Sequence, residues 1–495
     1  MLIPAFVAGI IKYGERTWTL KLACNDESKN IVPFYDLKGP DGLAEKTRCE
    51  IVLIMAHNLV MEFKDYIENY DICRSSFKPR HGKLTPDAIN LDDYKECENV
   101  LEVEMGLMYD LLYTKAPITF TKRGCIFRSI SFMCTVSVLV GLFRLIAKWH
   151  KQHYSMVDIV ITGVLLVGAL ALEIYALILL LFSDWAMLWL IKRGRGKWAN
   201  RLWQKFPWFF EKKWSKKMGQ INLLKKEDNH KKWSGIIGKL GIQDKFYRYM
   251  HTTSVCVPST LYRMIVEFIR RDDLNLGWFV GFIGSTPFHE LIFFMHIITD
   301  ICHRHDDTYT SQNSANSSGR HDDKETCKTL SHYMMYLLLT CRWLLPVVVS
   351  DSQLILVMND VKLFSRYINE QVTGGRMFPM DMSRIEELAF TRDGERRNMG
   401  KIRRKSSLLE LIFSDLVDKD NKEVKWEKLK NVWLAMLCYA AINGPKNYHL
   451  QQLTEGGELL NLVWFLIPQS YPFYGVDTFT LTRFFNNYFR SMPLV

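Results

Sequence analysis

The sequence lacks the short motifs with which many enzymes bind nucleotides, metals or acyl groups. No GxxxxGK[ST] phosphate loop, GxGxxG dinucleotide motif, HExxH zinc motif or GxSxG nucleophile motif occurs in its 495 residues. The enzyme classes that depend on those motifs are therefore excluded. The sequence indicates no catalytic residue, no metal site and no cofactor, and non-enzymatic function is favoured.

Cysteine is also scarce, with 11 residues and no Cys-x-x-Cys pair. An odd, widely spread set excludes a small disulfide scaffold and predicts reduced thiols in a protein that faces the cytosol. The composition is not poor in apolar residues either, because 48% of the residues are hydrophobic. A disordered or fibrous chain is therefore excluded, and the length is sufficient for several structural units.

Two long apolar runs are present. Ser129–Phe143 has no charged residue, and Ile159–Ser183 has a single one, Glu173. At about −0.3 to −0.6 kcal/mol for each Leu, Ile, Val or Phe, the second run outweighs about +3 kcal/mol for one carboxylate and predicts a membrane-spanning helix. The first run is shorter and also fits a buried helix of a soluble protein. Together the runs predict a membrane helical hairpin.

The flanks of this hairpin are basic. Lys122 and Arg123 precede the first run, and Lys192 and Arg193 follow the second. The positive-inside rule places both flanks in the cytosol and the hairpin tip on the opposite side. The bulk of the chain is then predicted to be cytosolic, on a plasma membrane or an endomembrane.

Basic residues are concentrated directly after the second run. Lys192–Lys232 contains 14 Lys and Arg against three acids, so it carries the whole formal charge of +11, and tryptophans are interleaved with the cations. Such a segment fits acidic lipid headgroups, a plain solvated flank or nucleic acid. Its position beside a membrane helix favours lipid, and nucleic acid is not expected. The predicted lipid-interface residues are Lys192, Arg193, Arg195, Lys197, Trp198, Arg201, Trp203, Lys212, Lys213, Trp214, Lys216 and Lys217.

Glu173 is the one ionisable residue near the centre of a predicted span. It fits either a proton or ion relay, or a neutral acid hydrogen-bonded to a hydroxyl of the first span. His289, His296 and His303 are seven residues apart, which is too far along a helix for two of them to bind one ion. Asp300 is one helical turn from His296, so His296 and Asp300 are close enough to share an ion. A membrane-embedded transporter or enzyme that uses Glu173 and His296/Asp300 is therefore the alternative function.

Five segments carry a resemblance to a known family. They are FVAGIIKYGERTW (Phe6–Trp18), EMGLMYDLLYTKA (Glu104–Ala116), HIITDIC (His296–Cys302), SHYMMYLLLTC (Ser331–Cys341) and GGELLNLVWFL (Gly456–Leu466). In this order they resemble motifs of plant proteins with paired domains of unknown function, numbered 4220 and 594. The resemblance implies a multi-helical plant membrane protein with a cytosolic C-terminal portion, but it brings no activity, substrate or catalytic residue. Members usually have membrane helices before the first motif, which implies a shortened chain.

The predicted fold class is mainly α, with a membrane helical hairpin and helical cytosolic regions. The most economical function is a membrane-anchored interaction or scaffold protein that contacts membrane lipids and unidentified protein partners. The predicted parts are a membrane-helix remnant (1–12), a helical cytosolic region (13–123), the hairpin (124–192), the basic aromatic segment (193–233), a helical region (234–303), a polar linker (304–326) and a C-terminal helical domain resembling domain 594 (327–495).

Overall fold

A computed structural model of the protein has fourteen α-helices, two 3-10 helices and two short strands in its described residues, which confirms the mainly α fold class. These residues divide into two units, Met1–Trp214 and Ser215–Val495. The described residues are 2–24, 47–68, 94–114, 116–147, 156–206, 214–222, 253–270, 287–310, 318–350, 352–354 and 422–470.

All the secondary-structure elements in the described part of the first unit are helices. Its helices are α1 (Leu2–Cys24), α2 (Arg48–Glu68), α3 (Tyr94–Tyr113), α4 (Ala116–Thr119), α5 (Lys122–Ala147), α6 (Met156–Leu181), α7 (Asp184–Lys192) and α8 (Gly196–Lys205).

Helices α2 and α3 pack against each other and against α7, and α8 also packs on α2. Apolar side chains recur on α2 at three- and four-residue steps, which places Leu53, Ala56 and Val60 on one face. These residues are buried together with Leu101 of α3 and Trp185 of α7. Both helices lie within the stretch 13–123, which the sequence predicts to be a helical region.

Helix α1 packs along α5, and α5 packs along α6. The stretch 1–12, predicted to be a remnant of a membrane helix, belongs to α1 from Leu2 onward, and this helix continues to Cys24. Leu142 of α5 lies 3.9 Å from the position that a side chain on Gly163 of α6 would occupy. This contact near one end of each helix agrees with the hairpin arrangement predicted from the two apolar runs.

The second unit contains the strands. Its elements are β1 (Lys217–Gln220), β2 (Thr253–Cys256), α9 (Ser259–Arg270), α10 (Phe288–Thr310), α11 (Ser318–Thr340), a 3-10 helix (Arg342–Leu344), α12 (Lys422–Asn443), α13 (Lys446–Gln452), a second 3-10 helix (Leu453–Glu455) and α14 (Leu459–Ser470).

The core of this unit is formed by four long helices. Helix α11 lies between α10 and α12, and α12 also packs on α14. The two strands are antiparallel, with Lys217 opposite Cys256 and Gln220 opposite Thr253. Strand β1 attaches to α11, where the Gln220 side chain donates a 3.1 Å hydrogen bond to the Thr329 carbonyl.

The polar segment predicted as a linker over 304–326 is helical at both ends. Helix α10 continues to Thr310 and α11 begins at Ser318. The polar part of α11 is stabilised from a neighbouring helix, because Lys430 Nζ lies 2.9 Å from Asp323 Oδ1 in a half-buried ion pair. Composition alone could not reveal these partners, since they come from residues distant in sequence.

Candidate membrane interface

Helix α6 has its apolar side chains outside and its charge inside. Between Val160 and Leu181, Glu173 is the one residue that is buried, whereas the valines, leucines and isoleucines are exposed or half-buried. A soluble protein rarely exposes so large an apolar surface, and a lipid-facing helix has this pattern. The segments Arg123–Arg144 and Val160–Leu181 are both long and apolar enough to cross a membrane.

Helix α5 has the same inverted distribution. Its buried stripe includes two hydroxyl side chains, Ser131 and Thr135, followed by Val138 and Leu142. Its exposed side chains include Ile130, Met133, Val140 and Phe143. The alternative of a buried helix in a soluble protein requires the opposite pattern, so the exposure of α5 disfavours it.

Glu173 forms an ion pair with a residue of α1. Its Oε1 atom lies 2.5 Å from Nζ of Lys12, and the Glu173 side chain is 11% exposed. The sequence predicts a hydroxyl of the first span as one possible partner of Glu173 and shows no second charge within the two apolar runs. Lys12 could not be recognised as the partner from the sequence, because it lies outside both apolar runs and about 160 residues before Glu173.

The chain turns sharply where α6 ends. Ser183 caps α7, because its hydroxyl accepts a 3.3 Å hydrogen bond from the Ala186 amide. Helix α7 buries Trp185, Met187 and Leu188, and this fixes the chain that leaves α6 against the α2–α3 pair. The basic residues that follow are therefore attached to a packed helical support.

The predicted lipid-interface residues between α7 and the end of α8 are mostly on the surface. Lys192, Arg193, Arg195, Lys197, Trp198 and Arg201 are exposed, and Trp203 is half-buried. Two of the cations lie over indole rings, Arg193 at 4.0 Å from the Trp189 centroid and Arg201 at 5.6 Å from the Trp198 centroid. We define Lys192, Arg193, Arg195, Lys197, Trp198 and Arg201 as the basic aromatic surface.

The remaining predicted interface residues differ from this group. Trp214 is 5% exposed, which corrects the prediction that its ring contacts lipid. Lys216 and Lys217 belong to the second unit, where Lys216 has a left-handed backbone with φ of 50° and Lys217 begins β1. Lys212 and Lys213 lie outside the described residues. The burial of Trp214 shows that a tryptophan within a basic stretch does not always lie on the surface.

Gly196 allows α2 and α8 to approach closely. The carboxylate of Glu50 lies against the Gly196 backbone, in the space that a β-carbon would occupy. Glu50 is buried, and its carboxylate is placed at the first turn of α8, where helix N-terminal amides favour negative charge. Burial of the neighbouring Cys49 thiol, together with the nearby Glu50 carboxylate, raises the pKa of that thiol to about 12.

The second unit contains a buried polar cluster around Glu458. The hydroxyls of Tyr336 and Tyr333 donate to its carboxylate over 3.2 and 3.4 Å, and Tyr333 also accepts a 2.9 Å bond from the Leu460 amide. Burial raises the pKa of Glu458 to about 7, although the two tyrosine hydrogen bonds lower it. This cluster joins the Ser331–Cys341 and Gly456–Leu466 motifs, a contact that the sequence analysis missed.

His296 is a buried residue of the helix interface. Its Nδ1 atom lies 2.7 Å from the Ser331 hydroxyl, and burial lowers its pKa to about 3. His303 of the same helix lies 3.5 Å from Glu325 of α11. Among the residues that the structure describes, no three His, Cys, Asp or Glu side chains form a group that could hold a metal ion.

Comparison with protein families agrees with the motif resemblance. Residues 1–226 match the family described as Domain of unknown function (DUF4220), and residues 418–469 match Protein of unknown function, DUF594. The chain combines a DUF4220 region with a DUF594 region. A plant source, which the resemblance also implied, stays a prediction.

The DUF4220 region contains all eight helices of the first unit and strand β1, and thus the basic aromatic surface and Glu173. The DUF594 region contains Glu458, all of α12 and α13, and nearly all of α14. Neither the curated proteins nor the solved structures include a match to the chain.

Proposed function

We propose that this DUF4220–DUF594 protein is an integral membrane protein that serves as a membrane-anchored interaction protein. Helices α5 and α6 lie in the lipid, and the basic aromatic surface contacts acidic headgroups on the cytosolic side. The observation that carries the proposal is the inverted pattern of α6, in which Glu173 is buried and the surrounding apolar side chains face outward.

The basic aromatic surface supports the lipid contact. It begins at the end of α7, a nine-residue helix that follows α6 after a two-residue turn. Each Lys or Arg close to an anionic surface contributes on the order of 1 kcal/mol, and tryptophan prefers the membrane–water interface. Six neighbouring cationic and aromatic side chains are therefore suited to acidic lipid.

Binding of protein partners is assigned to the second unit, which carries exposed aromatic side chains. Trp343 and Tyr448 are both exposed, and they belong to a 3-10 helix and a helix that pack together. Exposed tryptophan and tyrosine are frequent anchors of protein interfaces. Substitution of both by alanine is expected to remove specific neighbours in proximity labelling, whereas Lys446→Ala should retain them.

Alkaline carbonate extraction of membranes from expressing cells tests the membrane assignment. The full chain should remain in the pellet, whereas quantitative release would overturn the proposal. Leu165→Asp with Leu172→Asp places two carboxylates on the lipid-facing side of α6, at roughly 2.5–3.5 kcal/mol each near the bilayer centre. This variant should lose stable insertion. Leu165→Ala with Leu172→Ala is the control and should remain in the pellet.

A further inference from the structure

We propose that α1 is a third membrane-crossing helix, held against α6 by the Lys12–Glu173 ion pair inside the bilayer. The inference rests on the membrane insertion of α5 and α6 proposed above. It extends the predicted membrane-helix remnant (1–12) to a helix that crosses the bilayer, and it places the Leu2 end of α1 on the opposite side of the membrane from the basic aromatic surface.

The ion pair joins a charged residue of α1 to a charged residue inside the α6 span. Lys12 Nζ lies 2.5 Å from Glu173 Oε1, and Glu173 is nearly enclosed by protein. Charged side chains inside a membrane face the helix bundle and pair with one another, because lipid offers them no solvation. Because the Lys12 and Glu173 side chains are in contact, Lys12 lies at about the same depth in the bilayer as Glu173.

The lengths of α1 and α6 fit the thickness of a bilayer. Glu173 is eight residues from Leu181 at the cytosolic end of the span, which is a depth of about 12 Å at 1.5 Å per residue. Leu2 is ten residues beyond Lys12, or about 15 Å farther from the cytosol. The sum is close to the hydrocarbon thickness of roughly 30 Å, so α1 reaches across the bilayer.

The charges of α1 determine its direction. Arg16 and Lys21 follow Lys12, and no Lys or Arg precedes it in the helix. If α1 ran opposite to α6, Arg16 and Lys21 would lie about 6 and 13 Å beyond Lys12 toward the far, non-cytosolic side of the membrane. Parallel to α6, they approach the cytosolic headgroups, as the positive-inside rule requires.

The exposed face of α1 is apolar, as is expected for a helix that faces lipid. Ile3, Phe6, Ile10 and Tyr13 are exposed and recur at alternating three- and four-residue steps, which makes one apolar stripe. Ala8 is buried on the helix, which packs along α5. A small residue toward the neighbouring helix and large apolar residues away from it are the arrangement of a lipid-exposed membrane helix.

Protease protection in sealed, cytosol-out microsomes tests the proposal with the full chain. Epitope tags are placed before Met1, at residue 152 and after Val495. We expect protease to digest the tag after Val495 and to leave the other two intact. Digestion of the first tag with protection at residue 152 would overturn the third span and leave the hairpin anchor standing. Digestion at residue 152 would instead contradict the hairpin itself.

Charge exchange tests the ion pair. Lys12→Glu and Glu173→Lys each place like charges together, and each should expose the first tag to protease. The double variant K12E/E173K restores opposite charges and should restore protection. Lys21→Glu is the matched control, with the same change in net charge on the same helix, and should stay protected. Single variants that remain protected, or a double variant that stays exposed, would overturn the role of the pair.

Discussion

The Tyr336 hydroxyl donates a 3.2 Å hydrogen bond to Glu458 Oε1, which links α11 to the residue just before α14. Tyr333 reaches the other oxygen of the same carboxylate from one turn earlier on α11. The cluster joins segments that are more than a hundred residues apart in the sequence. Because Glu458 is buried, its protonation state is coupled to the stability of the second unit.

We expect Glu458 to make stability depend on pH. The pKa of Glu458 is about 7 in the folded chain, whereas the ordinary value is 4.5, so the folded state binds the proton more tightly than the unfolded state does. The resulting stabilisation is complete below pH 4.5 and is lost as pH rises through 7, by roughly 3 kcal/mol. Thermal unfolding measured against pH should therefore change less steeply for Glu458→Gln than for wild type.

Glu427→Gln is the control for this measurement, because Glu427 is an exposed residue of α12. Its pH profile should follow that of the wild type. An identical profile for Glu458→Gln and wild type would show that the carboxyl titrates at its ordinary value.

Replacing Gly196 by alanine should destabilise the first unit. The added β-carbon would overlap the Glu50 carboxylate, which is the movable end of a side chain, so we expect a cost near the lower end of the roughly 1–3 kcal/mol typical of overpacking. The double variant G196A/E50A removes the obstructing carboxylate and should recover part of the loss in thermal stability. Gly168→Ala serves as control, because a β-carbon there meets no atom within 4 Å. Equal melting temperatures for G196A and G168A would contradict the close approach.

The Trp433 indole should depend on Thr299 for its hydrogen bond. Trp433 Nε1–H donates to Thr299 Oγ1 over 3.0 Å, and both residues are buried. Thr299→Val keeps the shape but leaves the indole donor unpaired, at a cost of about 1–3 kcal/mol. Thr299→Ser retains the hydroxyl and should lose less in chemical denaturation. A valine variant as stable as the serine variant would show that the hydrogen bond is dispensable.

The basic aromatic surface should select acidic lipid around the purified protein. Replacing Lys192, Arg193, Arg195 and Lys197 by glutamine removes four charges of about 1 kcal/mol each near an anionic surface. Mass spectrometry of lipids that co-purify from mixed vesicles should then show loss of anionic-lipid enrichment. The control neutralises four cations of the second unit, Arg263, Lys324, Lys328 and Lys446, and should keep the enrichment. Equal lipid composition for wild type and the first variant would contradict the lipid contact.

The sequence by itself determined the features that depend on local composition. The helices α2 and α3, the two apolar helices α5 and α6, and the basic residues after α6 follow from periodicity and from runs of one residue type. The family motifs were equally visible, because they are short continuous strings. Such features need no knowledge of which helices meet.

Only the tertiary structure decided which side chains meet. It paired Lys12 with Glu173, buried Trp214 in an otherwise basic stretch, and enclosed Glu458 between Tyr333 and Tyr336. The polar first part of α11 is helical, and its Asp323 pairs with Lys430 of α12. Each of these outcomes depends on contacts between distant segments, and the energy of a buried charge is set by its partner rather than by its neighbours in sequence.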